Sequence, residues 1–397
     1  MKSTKSQFIA EFEPIRGFAA LTVALMHSFF VLDPLGSTAM SGAKVVFNGF
    51  AAVTLFFVLS GVVLGLALDR YSGSFAARWR QFLILRVFRI YPMIVVVTAA
   101  ICLYLLVHGP APHPGATEWF NRYYQEPLSW YRALQNFLLI NVSLNPVGWT
   151  LMVEMGIAVI FPLLHRVARR GGLLTNLGML LALIVLAFLA DELRALAPGN
   201  RLYVQFCELI LPHAYKFYLG LLLPGLATQR VLDRIGSHAT SYFAAVVVVL
   251  IGARTAVPML GGSATLAIVF ETLAAGTLLL PFCTWNSRGF GARLFHSSAI
   301  RWLGRISYSF YLWHFIVLYV TATVLFEYWP GPVPGTHPVA LSALLASVSI
   351  AIAGVASELS YRYIELRYMD MGRKLSRALA AQAISSSFDQ RGKSESR

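Results

Sequence analysis

Arg16 and His27 lie eleven positions apart in a stretch, Ile15 to Leu32, that is otherwise free of ionisable residues. In a helix, eleven positions make three turns plus about 20°, so both side chains leave one face, with His27 about 16 Å beyond Arg16. An imidazole at that depth suits proton abstraction from a hydroxyl. An arginine at the rim suits an anion, although a snorkelling anchor for Arg16 and a packed helix–helix hydrogen bond for His27 are the plainer alternatives.

Other polar residues recur in the same kind of setting. Arg86 and Arg89 sit in the run Arg86-Val87-Phe88-Arg89-Ile90-Tyr91-Pro92. An i,i+3 spacing puts both guanidinium forks on one face, an arrangement suited to phosphate. Glu154 follows Trp149-Thr150-Leu151-Met152-Val153. If that helix starts at the membrane surface near Pro146, Glu154 falls about 12 Å down, near the depth of His27, where a carboxylate fixes an imidazole tautomer. His314, at the end of Leu303-Gly304-Arg305-Ile306-Ser307-Tyr308-Ser309-Phe310-Tyr311-Leu312-Trp313-His314, stands about 18 Å above the inner edge of its own stretch. Ser60-Gly61 ends an apolar run and suits close helix approach or backbone access for a ligand. Three polar groups from three stretches at one depth predict a buried polar chamber. His213, Glu208, Glu271 and Lys216 also fall within apolar stretches and are expected to pair or line a cavity.

The elements that must position these groups are membrane helices. The chain of 397 residues is 57% hydrophobic and only 13% charged, where a soluble domain carries roughly 25% charge. Its apolar blocks have the ~20-residue length that crosses ~30 Å of hydrocarbon, and irregular backbone facing lipid would leave polar groups unpaired. The expected fold is all-α, a polytopic bundle of about ten helices at roughly 16–32, 45–68, 84–107, 146–165, 173–190, 202–226, 239–257, 264–283, 302–326 and 339–362. The first is read as a retained helix and not a cleaved signal. With the N-terminus taken as cytoplasmic, inner loops, tails and helix ends hold 25 of the 32 Lys and Arg and outer segments hold six, with Lys216 inside a span. That bias predicts both termini inside. It also accounts for the net charge of +14 without nucleic acid as a partner. Residues 1–377 form the expected membrane domain, and 378–397 a disordered cytoplasmic tail. Cys102, Cys207 and Cys283 form no CxxC pair, so neither a disulfide framework nor a metal site is expected. The long outer connection, about 108–145, carries Trp119, Tyr123, Tyr124, Trp130 and Tyr131. They suit an interfacial segment, or more sharply a stacking surface for a sugar.

Five segments in order resemble the acyltransferase-3 family of bacterial membrane O-acyltransferases: Ile15 through His27, Phe56 to Gly61 (FFVLSG), Arg86 through Pro92, Trp149 to Glu154, and Gly304 to His314. The resemblance spans roughly residues 8 to 370. It implies a ten-helix fold, an acyl-CoA donor (commonly acetyl-CoA), a carbohydrate acceptor and a place in the bacterial cytoplasmic (inner) membrane. It also implies that Arg16 with His27, the candidate catalytic histidine, and Arg86 with Arg89, associated with the donor, are the functional positions. The chain departs from the family pattern at Thr54, where an Asp is common, and at Met155, where a second acid is common.

The resulting expectation is acyl transfer to a hydroxyl of a carbohydrate or lipid-linked glycan. His27 is the general base and Glu154 its orienting partner. Arg16, Arg86, Arg89, Ser60, Tyr308 and His314 serve the donor, with Tyr308 or His314 also suited to a developing oxyanion. No metal is expected. Direct transfer and a route through an acylated His27 both fit these residues. A transporter or flippase for a lipid-linked or small polar substrate is the alternative class, because buried ionisable groups suit it too.

Overall fold

The computed structural model describes residues 12–32, 47–109, 112, 113, 115–228, 233, 235, 238–283, 297–328 and 338–379. The expected tail lies almost wholly outside the described residues. Among the described residues the regular structure is entirely helical. Ten main helices follow in order: α1 Phe12–Leu32, α2 Gly49–Leu68, α3 Phe75–His108, α4 Trp149–Arg170, α5 Leu173–Phe188, α6 Leu211–Leu226, α7 Ala239–Met259, α8 Ala264–Leu279, α9 Ser298–Tyr328 and α10 Pro338–Ser360. Among the described residues, nine segments are long and apolar enough to cross a membrane, and the protein is a multi-pass membrane protein.

The expected fifth span is the exception. α5 is apolar but has 16 residues, about 24 Å of rise against ~30 Å of hydrocarbon. Other segments outrun their expected ends. α3 has 34 residues, about 51 Å of rise, so its basic first turns project past the bilayer. α10 continues through a π-helical turn at Tyr361–Glu365 and on to residue 379.

Local chemistry sets the helix starts. Asn48 caps α2 by accepting from the Ala51 N–H at 3.0 Å, and Ser74 and Ser263 cap α3 and α8 in the same way. Each satisfies one of the N–H groups that a first helical turn leaves unpaired. α3 stops at Gly109, whose φ of 67° is a conformation that glycine adopts without steric cost.

α1 packs on α9, α10 and α2, and α2 packs on α6 and α8. Two crossings are backbone-close. A methyl at Gly61 would overlap the Phe217 carbonyl, and one at Gly220 the Val58 carbonyl, where α2 meets α6. At the crossing of α1 and α9, a methyl on Gly304 would overlap the Glu13 carbonyl, and one on Gly17 would press on the Gly304 backbone. Small residues at such crossings let helices approach where lipid gives no hydrophobic drive to association.

Candidate active site

Gly17 and Gly304 hold α1 and α9 together at the level of Arg16 and Arg305. Both helices run in the same direction, so ten positions further along each the side chains meet again: His27 Nδ1 lies 3.0 Å from His314 Nε2. The two rings stack, with centroids 5.3 Å apart and planes at 12°. Phe315 meets His27 edge-on.

Hydrogen bonding determines which nitrogen carries which proton. His314 Nδ1 lies 2.7 Å from the Tyr311 carbonyl oxygen. A carbonyl only accepts, so His314 Nδ1 carries a proton and, in the neutral ring, Nε2 is the acceptor. His27 Nδ1 then donates to it, which leaves the Nε2 lone pair of His27 unused within the pair. A chain of one carbonyl and two imidazoles thus fixes the His27 tautomer and leaves Nε2 as its open acceptor, with His314 in the place expected of Glu154.

Glu154 was the expected partner, and here the structure corrects the sequence reading. Glu154 is ion-paired with Arg86, and their side chains are 19% and 10% exposed. The reason is where α4 begins. Asn145, just before the helix, donates from Nδ2 to the Leu312 carbonyl at 3.2 Å, two positions from His314. The chain therefore enters α4 already at the depth of the imidazoles and not at the membrane surface. Helical rise then carries Glu154 past them to the level of the arginines.

Below the imidazoles, toward the Arg16 end of α1, lies a cavity of about 560 Å³. Its lining includes six arginines (Arg16, Arg70, Arg86, Arg89, Arg305 and Arg373) against two carboxylates, Glu13 and Glu154. It is thus a strongly cationic chamber. Arg16, Arg86 and Arg89 face it together, and Ser60 and Tyr308 line it as well. The Tyr308 hydroxyl donates to the Ile90 carbonyl at 2.7 Å, and the Arg89 guanidinium lies over its ring at 5.7 Å. Its proton is thus committed to backbone, and its ring braces Arg89. His314, expected at the donor, is instead 2% exposed, outside the cavity lining and against His27. Of the lining residues, Tyr311 lies 5.5 Å, ring to ring, from His314, and Phe56 meets Tyr311 edge-on.

Several contributors escaped the sequence reading. Arg70, Arg305 and Arg373 were legible only as positive charge on the inner side. Glu365, 2% exposed, accepts from the Ser309 hydroxyl, and a carboxylate just past the predicted last span gives no spacing signal. Thr54, at the position where an acid was missing, donates to Glu271 of α8, and Arg254 pairs with that carboxylate at 2.6 Å. Glu208 pairs with Arg194 at 2.8 Å. His213 packs between Phe57 and Trp149, and Lys216 lies over the Phe57 ring. Among the described residues no group of histidines, cysteines and carboxylates could hold a metal ion.

A staple closes the arginine end of the bundle. Asp69, just past α2, accepts from His165 at 2.8 Å and from Arg169 at 3.0 and 2.7 Å. Partial burial pushes its carboxyl up, but the hydrogen bonds from His165 and Arg169 outweigh this and hold it at about 2, below its ordinary 3.8.

Comparison with known proteins agrees with this architecture. The chain is 24% identical over 398 aligned residues to a protein of Staphylococcus aureus (strain COL) provisionally named an O-acetyltransferase. The match covers 94% of this chain but 59% of that relative, so the chain spans less than two thirds of its length. It is 26% identical over 322 residues to the acyltransferase MdmB of Streptomyces mycarofaciens, covering 77% of each chain. No solved structure matches. Residues 9–357 match the acyltransferase-3 family, described as an acyltransferase domain. With that match spanning nearly every helix that builds the cavity and the imidazole pair, the chain belongs to the acyltransferase-3 family.

Proposed function

We propose that the protein is a membrane O-acyltransferase that moves an acyl group, acetyl in the first instance, from acyl-CoA to a hydroxyl of a carbohydrate or lipid-linked glycan. The observation that carries this reading is the imidazole pair: a base with a free nitrogen, fixed in tautomer, directly beyond a cationic chamber. The excess of lysine and arginine on the side of these arginines supports a chamber open to the cytoplasmic face of a bacterial inner membrane, with both termini inside.

The donor supplies an activated thioester carbonyl and several phosphate charges. Arg16, Arg86 and Arg89 suit those phosphates by charge and by their planar forks, with Arg70, Arg305 and Arg373 adding to the field. Tyr311 lines the chamber and lies 5.5 Å, ring to ring, from His314, so this reading routes the thioester past Tyr311 toward His27. His27 Nε2 takes the proton of the acceptor hydroxyl as its oxygen attacks the acyl carbon, and the thiolate leaves. His314 holds the ring and spreads the positive charge that develops on it. Glu154 acts on Arg86, holding its guanidinium in place in the chamber.

The test is transfer by purified protein in lipid vesicles with labelled acetyl-CoA and envelope glycan. His27→Ala is expected to abolish transfer while the protein stays folded. Undiminished turnover by that variant rules out the base. Movement of glycan across the vesicle membrane without acylation favours a transporter.

A further inference from the structure

Trp119 has no part in the chemistry above, yet it stacks on His27 with ring centroids 5.4 Å apart and planes at 30°. The segment that carries it is firmly anchored. Thr117 ties it to the His27 helix: its hydroxyl donates to the Phe30 carbonyl at 2.6 Å, and its N–H to the Val31 carbonyl at 2.9 Å. Those carbonyls belong to the last turn of α1, where a helix has no partners of its own to offer. His113 ties the same segment to the His314 helix, ring nitrogen to Thr323 hydroxyl at 3.0 Å. Tyr124 is buried against Tyr319 at a φ of 58°, a conformation bulky side chains hold only where the surroundings over-determine it. The segment thus bridges the two helices that supply the imidazoles.

Its anchors at Phe30 and Val31 lie beyond His27 as seen from Arg16, so Trp119 covers the imidazole on the side away from the chamber. Neither His27 nor Trp119 is among the residues that line the chamber. His27 remains partly exposed, whereas His314 is buried.

A base beside a thioester has a chemical liability. It activates water as readily as an alcohol: the water oxygen bonds to the acyl carbon, the C–S bond breaks, and the proton taken by the imidazole returns to the thiolate. The products are a carboxylic acid and a thiol, and the donor is wasted. We infer that Trp119 is a positioning residue that screens His27 from water on its outer side and yields that face to the acceptor. An indole excludes water and offers an apolar surface to the C–H face of a sugar ring. This inference rests on the reading of His27 as the base of acyl transfer.

Two measurements test it separately. In the first, purified protein in detergent is given acetyl-CoA without acceptor. Trp119→Ala is expected to raise thioester hydrolysis at least tenfold and to lower transfer when glycan is added, whereas Trp119→Phe stays close to the unsubstituted protein. The second is independent of catalysis. With Cys102, Cys207 and Cys283 replaced by alanine and His27→Cys introduced, a water-soluble maleimide is expected to label Cys-substituted position 27 at least tenfold faster once Trp119→Ala is added. Equal labelling rates overturn the screen, whatever the activity. Faster labelling without added hydrolysis leaves the screen standing and counts against His27 as the base. If the alanine variant does not fold, Trp119→Leu is read by the same labelling ratio.

Discussion

His27 and His314 each lie ten positions past the glycine at which their helices cross, Gly17 for α1 and Gly304 for α9. The crossing therefore works as a register mark. Because both helices start from one contact and rise equally per residue, the imidazoles arrive at the same height, about 15 Å further on, and bond at 3.0 Å.

The register should fail when the crossing is widened. A side chain at Gly304 meets the Glu13 backbone, which cannot give way without moving α1. Gly304→Ala is expected to cost about 1–3 kcal/mol through overpacking and to lower transfer more than tenfold. Thermal unfolding in detergent and a transfer assay check both. A variant with normal activity would show that the imidazole pair tolerates a shifted register.

His314 is expected to act on rate and not on donor affinity, because it is buried outside the chamber. His314→Ala should lower kcat by about 10²-fold, the lower end of what a positioned acid–base group supplies, with KM for the donor unchanged. His314→Gln, whose side-chain oxygen can still accept from His27 Nδ1, should recover part of the loss. A rise in KM with kcat intact would place His314 at the donor instead.

Arg86 and Glu154 should behave as a unit. Arg86→Ala leaves the half-buried Glu154 without its ion-pair partner, a change that costs about 1–3 kcal/mol. The double variant Arg86→Ala/Glu154→Ala is expected to recover much of that stability, but to keep a raised donor KM because one guanidinium is gone from the chamber. Additive stability losses in the double-mutant cycle would mean that the two are not coupled.

The Asp69 staple should give acid sensitivity at one end of the bundle. Its carboxyl is held at about 2, below the ordinary 3.8. A depressed value stabilises the fold fully above 3.8, and that contribution disappears as pH falls toward 2. The side chain is 34% exposed, so after discounting for solvent screening the effect is about 1 kcal/mol. Unfolding temperatures measured between pH 5 and 2.5 should fall less steeply in Asp69→Asn than in the unsubstituted protein. Parallel curves would remove the staple as the cause.

The helices were legible because ~20 apolar residues in water-poor surroundings have almost no other way to satisfy their backbone. The facing of Arg86 and Arg89 to one side was legible too, since helical periodicity puts i,i+3 neighbours together, whereas their meeting with Arg16 depends on tertiary packing. Depth was harder. Glu154 was misplaced because its height was counted from the membrane surface, whereas Asn145 starts the helix at the level of Leu312. The His27–His314 bond was hidden for a related reason: it depends on where α1 and α9 cross, which is a property of two glycine backbones and not of either histidine's own helix. Thr54 and Glu271 illustrate the same limit, because an acid absent from one helix was supplied by another 217 positions away.

The two histidines are separated by 287 positions along the chain. At a synthesis rate of roughly 5–20 residues per second, α1 waits about 14 to 57 s for α9 to emerge. Throughout that interval the ribosome-bound chain already carries His27 but lacks the ring that sets its tautomer. The pair is thus not formed until the ninth of ten main helices is inserted, and a truncated or stalled product holds His27 without the ring that fixes its tautomer.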